Sequence, residues 1–262
     1  MIVTTAGKFN EKLIQKALTL CEEVQGTFVY RKNRSIASLQ EQGNDYVLMV
    51  GVEKLTLYAP GSNEPVFFHP NSSMFRVKQL LRREHDPLVA AAQLTTGMTV
   101  LDCTVGLASD AIVCSLAVGE TGSVTGIEKN PYLALLVREG LRAWDSSLPE
   151  MNEAMRRIVI ETNDHLTALK KREDASVDVV YFDPMFEQSL DSPGLAGLKT
   201  VAAHTTITEE VLHEALRVAK CRVVMKDHYA SSRFQAFPFH VYKRPSSKFH
   251  YGVIEKEARR TM

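Results

Sequence analysis

Residues 99–128 read TVLDCTVGLASDAIVCSLAVGETGSVTGIE, and their pattern decides the fold. An apolar run at 99–103 has the length of a buried strand and carries Asp102 near its end. A turn with one glycine, Gly106, follows, and the residues from 110 to 117 read as a helix. A second strand, 124–128, ends in another acid, Glu128. Strand, turn, helix, strand is the repeating unit of a parallel sheet, because parallel neighbours need a crossover that carries the chain back to its starting edge.

The alternation continues downstream. Further strands are expected at 157–160, 177–182, 222–226, 239–243 and 249–254, with helices at 133–144, 165–171 and 209–218 between the first five strands. This predicts an α/β fold, a mainly parallel sheet covered by helices on both faces, and the helix-poor last pair predicts a closing hairpin. Upstream, residues 10–25 place Leu13, Ile14, Ala17, Leu18, Cys21 and Val24 on one helical stripe after Asn10 as a cap. Short extended runs at 27–30, 46–50 and 55–58 follow, broken by Pro60-Gly61 and Pro65. A helix is expected from Ser72 and Ser73 toward Arg83, and another from Pro87 to Leu94. A small α+β domain at 1–70 followed by a larger domain at 71–262 is therefore expected.

Composition sets the outer limits. The chain has 262 residues, 45% apolar and 24% charged, with 31 Lys+Arg against 31 Asp+Glu. A chain of this size can bury a large core without a metal or disulfide staple. Balanced charge excludes a basic arm or an acidic tail as the main theme, yet a local basic face can still hold nucleic acid. Cys21, Cys103, Cys114 and Cys221 are scattered, with no CxxC pair and no His at ligand spacing. They are read as reduced core thiols, no metal is expected, and His69 and His85 have no companion ligands. No apolar window approaches the ~20 residues that span a bilayer, so a cytoplasmic location is expected.

In open parallel sheets a ligand binds beyond the carboxyl ends of the strands, where the strand order reverses. The turn after the first strand and Glu128, 22 residues past Gly106, form a nucleotide-type pair, with the acid placed to accept from ribose hydroxyls. A dinucleotide needs GxGxxG to bring backbone N–H groups to its pyrophosphate. Only Gly106 is present, and Asp102 and Asp110 would repel phosphate. S-adenosylmethionine has no phosphate and carries a sulfonium and an ammonium, which carboxylates favour. The sequence therefore favours S-adenosylmethionine over NAD(P), although Asp102 and Asp110 also suit simple caps of turn and helix.

The strand at 177–182 empties into Asp183-Pro184-Met185-Phe186. An apolar strand followed by Asp-Pro-x-aromatic resembles the catalytic tetrapeptide of methyltransferases that act on exocyclic amino groups of bases. Such an amine is a poor nucleophile because its lone pair is delocalised into the ring. Asp183 can accept one of its hydrogens and the Pro184 carbonyl the other, while Phe186 offers a stacking face. A strand-ending turn would also explain Asp183-Pro184.

With DCTVGLASDAIVCSLAVG (102–119), IEKNPYLALLVREGLRAW (127–144), NDHLTAL (163–169), VDVVYFDPMF (177–186) and RVVMKDHYA (222–230) in that order, the chain resembles the bacterial 16S ribosomal RNA guanine-N2 methyltransferase family. The resemblance covers most of residues 75–255. It implies a class I, Rossmann-like methyltransferase fold and transfer of methyl from S-adenosylmethionine to guanine N2 of 16S rRNA, free or in the small ribosomal subunit. It implies that Ser109 and Asp110 lie at the methionine end of the cofactor, Glu128 and Lys129 at the ribose and adenine, and Asp164 and His165 beside the adenine. Asp183 would touch both cofactor and target amine. Ser109 stands where the family typically has Arg, Asp164 and His165 where it has small hydroxyl residues, and the segment around Arg76 lacks the family's glycines. An NAD(P)-dependent oxidoreductase and a noncatalytic RNA-binding or cofactor-sensing relative are the alternatives. Arg76, Lys78, Arg82, Arg83, Lys226 and His228 are the candidate RNA contacts.

Overall fold

The computed structural model describes residues 1–7, 10–41, 45–184, 198, 201 and 206–256. By their contacts these form two units.

The first unit takes residues 1–69 and 132–143, with Leu198 and Val201. Its sheet contains β1 (Ile2–Thr5), β2 (Thr27–Phe28), β3 (Val47–Val50) and β4 (Leu55–Tyr58) in the order β2-β1-β3-β4. β1 runs parallel to β2 and β3, and β3–β4 is an antiparallel hairpin. The expected stripe forms the helix Glu11–Glu23, whose first turn is capped by the Asn10 side chain accepting from the Leu13 N–H, and it buries Leu13, Ile14, Ala17, Leu20 and Cys21. Leu18 lies outside that buried face at 37% exposure. β1 escapes the sequence reading because IVTT is too short to show a period. Residues 132–143 are held here by specific contacts: the Tyr132 ring lies 4.8 Å from that of Tyr46, and Gly140 lies against the Phe68 ring. A Cβ at Gly140 would approach that ring to 2.2 Å, so only glycine fits.

The second unit contains β5 (Thr99–Asp102), β6 (Ser123–Glu128), β7 (Val159–Thr162), β8 (Val177–Phe182), β9 (Ala219–His228), β10 (His240–Tyr242) and β11 (Phe249–Glu255). Their order is β10-β11-β9-β8-β5-β6-β7. The five strands from β9 to β7 are parallel, and β11 is antiparallel to both β9 and β10. The chain leaves central β5 toward β6 and β7 and then returns to its other side as β8. This is a switch point, as the sequence predicts. The architecture is the class I methyltransferase α/β fold. Leu101, Ile127, Val180, Phe182, Val223 and Met225 build one core with Ala168, Leu169, Val211, Leu212 and Ala215 from the helices His165–Lys170 and Glu209–Val218. The helix Ser109–Val118 buries Asp110 through Ser115, so it reads as apolar all round.

One helix is new. Pro149–Arg157 occupies the run into β7, where the sequence reading began a strand at 157; Met151, Ala154 and Met155 are its only buried residues. The Ala154 carbonyl accepts from Ser115 Oγ at 2.8 Å, tying it to the helix Ser109–Val118. No helix among the described residues is long and apolar enough to cross a membrane, and no cluster of three or more His, Cys, Asp or Glu side chains among them could hold a metal. Cys21, Cys103 and Cys114 are buried free thiols, and Cys221 is half-buried.

Candidate active site

The carboxyl ends of β5, β6, β8 and β9 deliver Asp102, Glu128, Asp183 and Lys226 to one end of the sheet. Register makes this possible: Asp102 pairs with Gly126 on one side and Tyr181 on the other, and Tyr181 pairs with Val224. The turn after β5 closes tightly because Gly106 and Ala108 both adopt left-handed backbone, at φ +48° and +62°. A Cβ on Gly126 would lie 2.5 Å from a Val105 methyl, so glycine in β6 is what lets this turn sit down.

Asp102 is 2% exposed and accepts from the Thr104 N–H at 3.0 Å. Burial pushes its carboxyl up to about 8. Thr104 Oγ accepts from the Asp183 N–H at 2.5 Å, joining this turn to the Asp183-Pro184 segment. Asp183 Oδ2 accepts from Lys226 Nζ at 2.6 Å, whereas Oδ1 is buried with no hydrogen-bond donor among the described residues. Burial pushes Asp183 up to about 6, with Lys226 opposing and Asp110 reinforcing the shift. Pro184 is buried, and Phe186 lies outside the described residues.

Asp110 is almost enclosed. It accepts from the Tyr181 hydroxyl at 2.8 Å, from Lys226 Nζ at 3.1 Å and from Arg76 Nη1. Burial opposes its ionisation, but Lys226 and Arg76 outweigh it and hold the carboxyl well below the usual range. Arg76 also grips Asp86 with two hydrogen bonds, at 2.7 and 2.9 Å. Four carboxyls, Asp86, Asp102, Asp110 and Asp183, thus surround two cations. That surplus suits a ligand of net positive charge and opposes a pyrophosphate.

The remaining candidates divide. Glu128 is 7% exposed; burial pushes it up to about 7 against the N–H groups of Asn130 and Lys129. Lys129 Nζ lies 3.2 Å from Asp164, whose side chain caps the helix His165–Lys170. His165 is 9% exposed, its Nε2 has no partner among the described residues, and burial lowers its pKa. Ser109 Oγ is 2.8 Å from Ser72 Oγ, and the Ser109 carbonyl accepts from Ser73 Oγ. Arg76 and Lys226, expected as RNA contacts, are instead committed to carboxylates in the site. Lys78, Arg82 and Arg83 are exposed at the end of the helix Asn71–Leu81 and beyond it, and His228 is half-buried at the end of β9. Thr104, Asp86, Tyr181 and Tyr251 were not singled out from the sequence. Burial, followed by the charge of Asp110, raises the Tyr251 phenol above its ordinary range. On strands these tyrosines read as core, and no local signal distinguishes them.

Comparison with known proteins adds the chemistry. A family described as "Putative SAM-dependent methyltransferase" matches residues 32–250. "Uncharacterized protein YpiP" of Bacillus subtilis (strain 168) is 44% identical over 255 residues, 97% of this chain and 99% of that protein. "Ribosomal RNA small subunit methyltransferase J" of Coxiella burnetii (strain Dugway 5J108-111) is 33% identical over 162 residues, 60% of this chain and 61% of that one. The protein of the same name from Dechloromonas aromatica (strain RCB) is 29% identical over 195 residues, 70% and 76% of the two chains. The crystal structure of a SAM-dependent methyltransferase from Neisseria gonorrhoeae has the same fold, with TM-score 0.64 at 20% identity over 97% of this chain and 96% of that one.

Proposed function

The chain belongs to the S-adenosylmethionine-dependent methyltransferase family, and from that premise we propose that it methylates the exocyclic amino group of an RNA base, guanine N2 of 16S ribosomal RNA. The observation that carries this reading is Asp183: one carboxylate oxygen is pinned by Lys226 and the other is buried with no hydrogen-bond donor among the described residues. A buried acceptor left unpaired is costly unless a donor arrives, and an amine N–H is such a donor. The relatives named as ribosomal RNA methyltransferases support the RNA base as its source.

The residues fit the cofactor. Its sulfonium and ammonium charges meet the carboxylate surplus, and Glu128 ends β6 with no cation paired to it among the described residues. Asp102, Gly106, Ser109 and Asp110 would hold the methionine end, Glu128 the ribose hydroxyls, and Lys129, Asp164 and His165 the adenine edge. S-adenosylmethionine supplies an electrophilic methyl group there. Asp183 Oδ1 accepts one amine hydrogen and the Pro184 carbonyl the other, which orients the nitrogen lone pair in line for attack. Phe186, outside the described residues, would offer the base a stacking face. Forming the N–C bond as the methyl–sulfur bond breaks would leave the nitrogen cationic and its proton strongly acidic, and Asp183 could take that proton and release it to water. No strong base is needed. The base reaches Asp183 unstacked or already single-stranded. In this reading residues 71–262 are the catalytic domain, residues 1–70 an accessory domain, and the ribosomal substrate locates the protein in the cytoplasm.

The test is transfer of labelled methyl from S-adenosylmethionine to stripped bacterial 16S rRNA, followed by nucleoside analysis. N2-methylguanosine should appear with wild type and vanish in Asp183→Ala, while S-adenosylhomocysteine still binds the variant. Label on another atom refutes the guanine assignment. Tight cofactor binding with no transfer to any RNA refutes the substrate class.

A further inference from the structure

We propose that the carboxyl end of β9 and the β10–β11 hairpin form a shelf that stacks a nucleotide next to the target base and holds its phosphates. This rests on the reading of RNA as substrate and names where the flanking strand lies.

Three observations converge. First, residues 228–254 contain four of the 31 Lys+Arg and none of the 31 Asp+Glu. In a chain of zero net charge this is a basic segment without an acid. Arg233 is committed to Asp227 at 2.7 Å. Lys243 and Lys248 are exposed and form no ion pair among the described residues, and Arg244 lies over the Tyr251 ring at 5.7 Å.

Second, the same segment presents an aromatic run. Tyr229 is 59% exposed, and its ring lies 4.4 Å from that of His228, tilted by 38°, and 6.2 Å from that of His250. The backbone fixes this arrangement. The Tyr229 N–H donates to the Lys248 carbonyl at 3.0 Å, extending the β9–β11 ladder by one residue, and the Arg244 N–H donates to His250 Nδ1 at 3.2 Å. A large tyrosine exposed on a fixed backbone offers a base a stacking face at little ordering cost.

Third, the run abuts the chemistry. His228 lies two residues beyond Lys226 on β9 and so shares its face of the sheet, about 7 Å further along. Lys226 Nζ is 2.6 Å from Asp183. His228 is thus the member of the run on the face of Lys226, and the Tyr229 ring reaches it at the strand end, 4.4 Å away, so a nucleotide stacked at this end of β9 would neighbour a base at Asp183. A basic surface alone would serve any polyanion; the His228–Tyr229–His250 run favours one that carries bases.

The experiment measures binding of a short fluorescein-labelled single-stranded oligoribonucleotide by anisotropy over a range of salt. Tyr229→Ala should weaken binding roughly tenfold, and Tyr229→Phe should bind like wild type. Lys243→Ala/Lys248→Ala should flatten the dependence of log affinity on log salt by about 1.4, at about 0.7 per phosphate contact. Lys12→Ala/Lys16→Ala, which removes two exposed charges from the helix Glu11–Glu23, should change neither. S-adenosylhomocysteine affinity should be the same in all. If wild type methylates rRNA while Tyr229→Ala and the Lys243/Lys248 variant bind RNA unchanged, the shelf is refuted and the catalytic reading stands. If poly-glutamate competes as well as RNA, the surface is a site for acidic protein and the proposal fails. If wild type neither binds nor methylates RNA, both readings fall together.

Discussion

Replacing Lys226 by Met removes the cation that lies 2.6 Å from Asp183 and 3.1 Å from Asp110. Asp110 retains Arg76 and the Tyr181 hydroxyl, whereas Asp183 retains no cationic partner among the described residues. Opposite charges about 4 Å apart interact by about 4 kcal/mol at an effective dielectric near 20, equivalent to roughly three pKa units at 1.36 kcal/mol each. The protein relaxes and water enters, so about two units is the conservative expectation. Asp183, at about 6 with Lys226 present, should then titrate near or above 8. At pH 7 its ionised fraction falls from about nine-tenths to about one-tenth. If ionised Asp183 accepts the amine hydrogen, methyl transfer at pH 7 drops about tenfold and returns as pH is raised. The assay is kcat against pH between 5.5 and 9.5 at saturating cofactor, for wild type, Lys226→Met and Lys226→Arg. The Met variant should show its midpoint displaced upward with a high-pH plateau near wild type, and the Arg variant a midpoint close to wild type. A Met variant reduced by the same factor at every pH, with an unmoved midpoint, would refute the view that Lys226 acts by keeping Asp183 ionised.

Other expectations follow from the same geometry. Burial raises Asp102 to about 8, Glu128 to about 7 and Asp183 to about 6. The folded, cofactor-free protein therefore holds protons that the unfolded chain has released above its ordinary carboxyl range. The stability they contribute is present at acid pH and is lost as pH climbs through about 4 to 8, so the urea midpoint should be higher at pH 5.5 than at pH 8.5. Binding of a cationic cofactor favours the ionised carboxylates, so calorimetry in buffers of different ionisation enthalpy should record proton release; net uptake contradicts the charge assignment. Gly126→Ala puts a Cβ 2.5 Å from Val105, and should cost about 1–3 kcal/mol of stability and weaken cofactor binding, because Val105 adjoins Gly106 in the turn.

The order of elements from β5 to β11 was legible because buried parallel strands read as short apolar runs and four of them end in a charged or polar residue. β8 was expected at 177–182 and is Val177–Phe182; the helix expected at 209–218 is Glu209–Val218. Both have apolar residues throughout their span and a clear cap or acid at one end. The failures are short or strongly polar in composition. β1 has four residues, and the helix Pro149–Arg157 buries only three side chains in a run rich in Glu, Asn and Arg.

The site was legible in a different sense, as positions without partners. Strand ends and the tetrapeptide located Asp102, Asp110, Glu128 and Asp183, but each was read as facing a ligand. Arg76 and Asp110 are 34 residues apart, Lys226 and Asp183 are 43 apart, and Lys226 and Asp110 are 116 apart. Separations of that size have no local period, so no pattern in the sequence announces the pairing, and a basic residue near a motif reads by default as free to meet phosphate. The consequence is physical. Two of the six candidate RNA contacts, Arg76 and Lys226, are spent inside the site, where they set which carboxylates are ionised, so under the proposed function the charge that would meet RNA has to come from elsewhere. The exposed Lys78, Arg82 and Arg83 and the acid-free segment from 228 to 254 are the places left to supply it. The latter adjoins Lys226 along β9, which under the proposed function sets it beside a base seated at Asp183.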